Sequence, residues 1–260
     1  MVTKTKEKLA TRIMKVIFLG TNGWYNTATG NTPCVLVDTD KYYIVFDAGE
    51  GIYKLDDYIK SPKPIYLFLS HFHLDHIGGM HILNKFRFNQ TIRLYGQRGT
   101  RSILHNIIKQ PFTCAIRDLP FKLRIHELTE GMHRIPFRVL CKQLLHADPC
   151  LGYRIQLDGK VISYCTDTGI GKNSLPLARN ADLLIHDAAG DPKQPYPEWP
   201  HATPTEAAGL AKKANVKQLA LFHFSAAVYK TMAERQGAEK EARSIFENTI
   251  AAMDGMELVL

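Results

Sequence analysis

Apolar residues along this chain come in short runs broken by clusters of turn formers, a pattern of strands more than of long helices. "MKVIFLG" (14–20) reads as a strand and is followed by the turn-rich loop "TNGWYNTATGNTP". "CVLVD" (34–38) and "YYIVFDA" (42–48) read as two strands of a hairpin closed at "TDK". "EGIYKLDDYIK" has helical spacing, and "PIYLFLS" (64–70) is a wholly apolar strand, with a helix expected from about Gly79. In the second half "HRIPFRVLCKQLLHA", "LGYRIQLDG" and "KVISYCTDTG" read as strands with turns at "HADPC" and "DGK". "ADLLIHDA" (181–188) and "KQLALFHFS" (217–225) read as buried strands on either side of a helix, "TPTEAAGLAKKAN". A last long helix is expected over 230–253. Two sets of strands with helices outside each set imply an α/β fold of four layers, an αββα sandwich.

Composition narrows this without redirecting it. The 260 residues, 45% of them apolar, suffice for one large domain over 1–260, or two halves sharing one core, with 1–13 as a frayed tail. The net charge of +8 suits anionic partners, although the basic residues are spread along the chain. Five cysteines (Cys34, Cys114, Cys141, Cys150, Cys165) form no CxxC pair, as in a protein of a reducing compartment. The basic start has no apolar core like that of a signal peptide, and no run is long enough to span a membrane. A cytoplasmic location is the expectation.

The unusual chemistry lies at "HFHLDH", where His71, His73, Asp75 and His76 follow directly on the most apolar strand. Buried histidine needs a partner, and neutral imidazole is the commonest metal ligand. His71 and His73 are two apart on extended chain and point the same way, whereas Asp75 and His76 turn with the loop toward a second position. Four donors so arranged suit two adjacent cations, each of which needs more. His146, Asp167 and His223 lie at the ends of expected strands, where α/β proteins build sites, and the two oxygens of Asp167 could bridge the ions. Imidazole and carboxylate without thiolate favour two Zn²⁺, with Mn²⁺ or Fe²⁺ as alternatives. Two such ions activate a water and polarise a phosphoryl or carbonyl oxygen, which is the apparatus of a hydrolase.

"HFHLDH" resembles the HxHxDH motif of the metallo-β-lactamase superfamily. "FLGTNGWYNT", "VFDAGEG", "SHFHLDHIGGM", "LGYRI", "YCTDTG", "ADLLIHDAA" and "HATPTEAA" resemble, in order, segments of its tRNase Z (ribonuclease Z) branch of phosphodiesterases. The resemblance implies His71, His73 and His146 on one zinc, Asp75, His76 and His223 on the other, and Asp167 bridging. Asp75 counts among both the ligands and the catalytic groups. His201 in the "HAT" loop is implied to serve the leaving oxygen without binding metal. Asp187, where the family usually has Glu, would orient His201. "TPTE" is also a good capping sequence, so His201 has a purely structural reading beside its catalytic one.

The resemblance has two gaps, one of them the lack of a large insertion between the late motifs such as RNA-cleaving β-CASP enzymes carry. Enzymes that mature tRNA carry a long basic arm, commonly between the ligands matching His146 and Asp167. Here "ADPCLGYRIQLDGKVISYCT" has room for a turn and two strands only. The expected substrate is therefore a phosphodiester in RNA or in a small, including cyclic, nucleotide, with no membrane partner; related phosphodiesterases are often homodimers. A hydrolase of lactones or thioesters on the same frame is the alternative, opposed by His201, which lactonases lack. A metal-retaining sensor is opposed by the complete ligand set, and a redox di-iron centre by His73, an acid in such proteins. Asp47 is expected to brace the metal loop, its neighbouring glycines to permit a tight turn, and "PYPEWP" (195–200) to wall the approach to His201. Cys165 is read as a buried thiol, and Trp24 and Tyr25 as packing on the rim in preference to stacking on a base. His81, His105, His126, His133 and His186 are read as structural or surface residues.

Overall fold

The computed structural model describes residues 13–191 and 198–260; residues 1–12 of the tail and the first half of "PYPEWP" (195–197) lie outside the described residues. Strands of the first half are β1 (Lys15–Gly20), β2 (Asn22–Gly23), β3 (Cys34–Asp38), β4 (Tyr43–Phe46), β5 (Ile65–Phe68), β6 (Ile92–Gln97) and β7 (Leu123–Leu128). Those of the second are β8 (Gly131–Arg134), β9 (Arg138–Gln143), β10 (Leu151–Leu157), β11 (Lys160–Cys165), β12 (Leu183–Asp187), β13 (Gln218–Phe222), β14 (Phe224–Ser225), β15 (Thr249–Ala251) and β16 (Glu257–Val259). The helices are α1 (Leu55–Tyr58), α2 (Leu74–Ile77), α3 (Thr100–Ile107), α4 (Ser174–Ala178), α5 (Pro204–Lys213) and α6 (Met232–Arg243).

One seven-stranded sheet runs β16-β1-β3-β4-β5-β6-β7, the other β15-β13-β12-β11-β10-β9-β8, and β14 pairs with β2 in a two-stranded ribbon. Strict alternation assigns the faces. Val16 and Phe18 of β1 join Phe46, Tyr153, Tyr164 and Phe222 in the core between the sheets, whereas Ile17 and Leu19 face the outer helices. A third cluster packs α4, α5 and α6 on the far side of the second sheet. These are the four layers expected of an αββα sandwich. Strands β4 to β7 are parallel, as are β11, β12, β13 and β15. The carboxyl ends of each set therefore fall at one edge, where the polar loops gather.

Three expectations are corrected. The last helix ends at Arg243, and the chain then forms β15 beside β13 and β16 beside β1. Thr249 and Ile250 are β-branched and find a sheet edge to complete, which outweighs the apolar spacing that suggested helix. "HRIPFRVLCKQLLHA" is two strands, because Pro136 cannot donate to a ladder and the chain reverses there, pairing Arg134 with Arg138. The helix expected from Gly79 starts earlier, as α2 inside the histidine motif, and Gly78–Lys85 continues as a 3-10 helix. The "TDK" hairpin forms as expected, with Asp38 opposite Tyr43.

Candidate metal centre

His71 stands just beyond β5, Asp167 just beyond β11, Asp187 at the end of β12 and His223 just beyond β13. The turns there are sharp: Asp167 (φ 52°), His223 (φ 59°) and Asp47 (φ 56°) all occupy the left-handed region. Asp tolerates that conformation; for a histidine it is a strained one, of the sort that concentrates at functional sites. α2 begins with His73 as its N-cap residue and swings Asp75 and His76 round toward β13.

The seven expected ligands converge in two groups. His71, His73, His146 and Asp167 offer donor atoms within 4.8 Å of one another, and so do Asp75, His76, Asp167 and His223. Asp167 belongs to both: its Oδ2 lies 3.2 Å from Nε2 of His71 and 3.1 Å from Nε2 of His76, and its Oδ1 lies 3.3 Å from Nδ1 of His146. A third, overlapping group combines Asp167 and His223 with Asp187 and His201. Asp187, however, already accepts from Ala189 N (2.9 Å) and from Nδ1 of His201 (2.9 Å), and lies 3.2 Å from Nδ1 of His223. Its shorter side chain, compared with Glu, still reaches both rings.

Hydrogen bonds behind the rings decide which nitrogens face inward. His76 donates from Nδ1 to Asp47 Oδ2 at 2.8 Å. His71 donates from Nδ1 to Ser70 Oγ (3.0 Å), which in turn donates to Asp47 Oδ2 (2.8 Å). Both histidines thus turn an Nε2 lone pair toward Asp167. Asp47 also accepts from Ser70 N (2.7 Å) and from the Tyr164 hydroxyl (2.8 Å), all in a buried setting. Its expected bracing role has this physical form. On the open side His73 donates from Nε2 to Asp148 (2.9 Å), leaving Nδ1 3.3 Å from Nε2 of His146.

This arrangement fits divalent cations. His71 Nε2, His146 Nδ1 and Asp167 Oδ1 are buried with no hydrogen-bond partner. The Nε2 atoms of His76 and His223 face each other at 3.1 Å, a repulsive pairing of lone pairs that a proton or a cation relieves. Burial opposes charge on Asp167, but His223, His71 and His76 outweigh it and hold its pKa well below the usual carboxylate range. Burial also opposes charge on His76, yet Asp75, Asp47 and Asp167 raise it to about 10. His146 is pushed down to about 4, chiefly by burial and further by His71, His73 and His201, against the pull of Asp167. Burial would raise Asp187 as well, but His201 and His223 bring it to about 2. The acids are ionised, and the protons on the raised histidines are those a cation displaces.

A family model, the beta-lactamase superfamily domain, matches residues 42–224, a stretch that holds every one of these side chains. The chain belongs to the metallo-β-lactamase superfamily. Within that superfamily the chain is similar to a ribonuclease Z of Bacillus velezensis, 27% identical, with 95% of this chain and 99% of the relative covered. Human tRNase Z, short form, is 25% identical over 94% of this chain and 98% of its own, with a TM-score of 0.73. The metallo-beta-lactamase fold protein YhfI of Bacillus subtilis shares the fold, with a TM-score of 0.81 at 22% identity and 96% and 100% coverage. The alignment to the Bacillus velezensis protein runs over 310 positions against a chain of 260, so at least fifty positions there have nothing opposite them here. In this superfamily member the interval between His146 and Asp167 is filled by β10 and β11, joined by the two-residue turn Asp158–Gly159 (φ 51° and 78°).

Several residues around the centre were not anticipated. Asp148, Ser70 and Tyr164 orient ligands or brace Asp47, and nothing in their local sequence marks them. Cys150, not Cys165, is the thiol beside the ligands: its sulfur lies 3.8 Å from Nδ1 of His71, and burial raises its pKa. Cys165 packs among the helices behind the second sheet, its pKa raised by burial to about 12. Trp24 is 71% exposed and meets Tyr25 edge-on. The glycines beside Asp47 serve a close approach more than a turn, since a Cβ on Gly49 would stand 2.2 Å from the Asp75 carbonyl oxygen. His81, His105 and His133 bond to backbone carbonyls away from the centre, His126 stacks on Tyr95, and His186 is buried in β12.

Proposed function

We propose that the chain is a dinuclear zinc phosphodiesterase of ribonuclease Z type, a single hydrolase domain acting on a phosphodiester in RNA or a small nucleotide. The observation that carries this reading is the division of seven donors into two groups that share Asp167, with His201 beside them and held by Asp187. His71, His73 and His146 would hold one ion and Asp75, His76 and His223 the other. Bound divalent ions supply Lewis acidity and an activated water. The chain's own residues do the rest. Asp187 accepts the proton on Nδ1 of His201, so the proton available to a leaving oxygen sits on Nε2. Burial opposes charge on His201, but Asp187 and Asp167 keep its pKa raised and favour the protonated ring. Thr203 starts α5 with a reciprocal capping box to Glu206 and Pro204 at the first turn, which fixes the chain two residues beyond His201. The structural reading of "TPTE" and the catalytic reading of His201 are therefore compatible.

The absence of room for an arm between His146 and Asp167 supports a short RNA end or small nucleotide over a substrate gripped far from the centre. Metal-loaded protein is expected to hydrolyse bis-p-nitrophenyl phosphate and to leave a homoserine lactone intact, with activity abolished in His71→Ala. Efficient turnover of the lactone alone would mean that the carbonyl-hydrolase reading is correct.

A further inference from the structure

The sequence contains two tryptophans, and both are exposed on loops that contact the donor groups: Trp24 at 71% and Trp199 at 49%. Tryptophan is a costly residue to leave in water, and neither joins a core cluster. Their positions are built. The Trp199 ring lies over His73 (5.5 Å between centroids) and near His146 (6.2 Å), two members of the first donor group. Trp24 sits beside the second group: its backbone N–H donates to Asp75 Oδ2 at 2.8 Å. It holds φ 74°, a conformation that a bulky residue avoids unless its surroundings impose it. The two residues before it are held in place. Gly23 packs against the His223 ring, and Asn22 is tied to Arg235, a buried arginine that also donates to Thr21 and Thr29. Tyr25 braces the indole edge-on, with centroids 5.2 Å apart.

Resting on the phosphodiesterase reading, we propose that Trp24 and Trp199 form a two-sided stacking clamp, each taking one of the bases that flank the scissile phosphate. The Trp199 ring stands at the first donor group, the Trp24 backbone is tied to the second, and Asp167 belongs to both. A linear phosphodiester carries one nucleoside on each side of phosphorus and can engage both rings. A 2′,3′-cyclic nucleotide has a single base and can engage one. The substrate class is therefore a linear oligoribonucleotide, with little preference among bases, because stacking uses the face that every base has.

Because all indole emission comes from these two residues, fluorescence reads the clamp directly. Metal-loaded His201→Ala protein, in which turnover is suppressed, is titrated with adenylyl-adenosine, with the same backbone lacking its bases, and with 2′,3′-cyclic AMP. The dinucleotide is expected to quench both the Trp24→Phe and the Trp199→Phe forms, the cyclic nucleotide only one of them, and the abasic analogue neither. Trp24→Ala and Trp199→Ala are each expected to weaken dinucleotide binding by roughly 5- to 150-fold, the effect of losing one stacked base, while leaving affinity for the abasic analogue unchanged. Equal quenching by the abasic analogue, or unchanged dinucleotide affinity in both alanine variants, overturns the clamp. Hydrolysis of bis-p-nitrophenyl phosphate by the unsubstituted protein separates the two claims: if it proceeds while the indoles stay silent, only the clamp falls. If no diester is hydrolysed, the reading beneath it falls too.

Discussion

Replacing Asp47 by Asn changes one atom at a position that touches neither substrate nor metal, and yet it should unseat a metal. The carboxylate is wholly buried and accepts four hydrogen bonds, one from Ser70 N at Oδ1 and three from Ser70 Oγ, His76 Nδ1 and Tyr164 Oη at Oδ2. Asn keeps the shape and tolerates the left-handed φ of 56°. Its amide nitrogen must nonetheless face donors on one side or the other. Toward Ser70 N it opposes a backbone N–H that cannot accept. Toward His76 it faces Nδ1, which can accept only if the ring moves its proton to Nε2, the nitrogen turned toward Asp167. Either choice costs about 1–3 kcal/mol, the penalty for an unmet buried donor. The second choice also removes the lone pair that His76 offers a cation. Loss of such an orienting partner typically weakens metal binding by about 10- to 100-fold, or about 1.4–2.7 kcal/mol. Competition against a calibrated chelator should show one site weakened by this factor and the other less affected, with a cooperative urea transition retained. Two sites of unaltered affinity in folded Asp47→Asn protein would refute the reasoning.

Other consequences are checked as simply. A Cβ on Gly23 would stand 2.6 Å from Cε1 of His223, so Gly23→Ala should displace that ring; a shift near 1 Å costs on the order of 100-fold in rate, read as kcat/KM on bis-p-nitrophenyl phosphate. His201→Ala should lower kcat by about 10²–10⁴-fold with metal content unchanged. Asp187→Asn should also weaken metal binding, because Asp187 lies against both His201 and His223. His186 gives a pH signature: burial lowers its pKa, against a smaller opposing pull from Asp187, so the native state resists a proton that the unfolded chain accepts. Its contribution is complete above the unfolded value of about 6.5 and is lost as pH falls below it, by at most about 1.36 kcal/mol per pH unit. Chemical denaturation in chelator at pH 7.5 and 5.5 should therefore show metal-free protein losing more stability than His186→Leu.

The centre was legible because its ligands announce themselves locally. "HFHLDH" crowds donors at a spacing that extended chain and one turn can aim, and the other donors each follow an apolar run that forms a strand. Most strands followed from their apolar runs, whereas β6 and β7, at one edge of the first sheet, were not read from the sequence. What stayed hidden depends on contacts made across the fold. Asp148 meets His73 from 75 residues away and Tyr164 meets Asp47 from 117, and a single acid or tyrosine near a strand end carries no mark of its partner. Arg235 sits in a helix as charged as "MAERQGAEKEAR" and reads as solvated, yet it is buried because the loop after β1 turns three side-chain oxygens toward it. The short strands β15 and β16 exist only because β13 and β1 leave edges to complete. Trp199 lies at the end of a proline-rich stretch whose composition says nothing about the histidines beneath it.

The most direct test of the two-group centre is a count of metal per chain by elemental analysis, in protein purified without added metal and in His146→Ala and His223→Ala. The account predicts close to two divalent ions per unsubstituted chain, and about one in each variant, because each substitution opens a different donor group while Asp167 continues to serve the other. A single ion in the unsubstituted chain, abolished alike by both substitutions, or no ion at all, would contradict it.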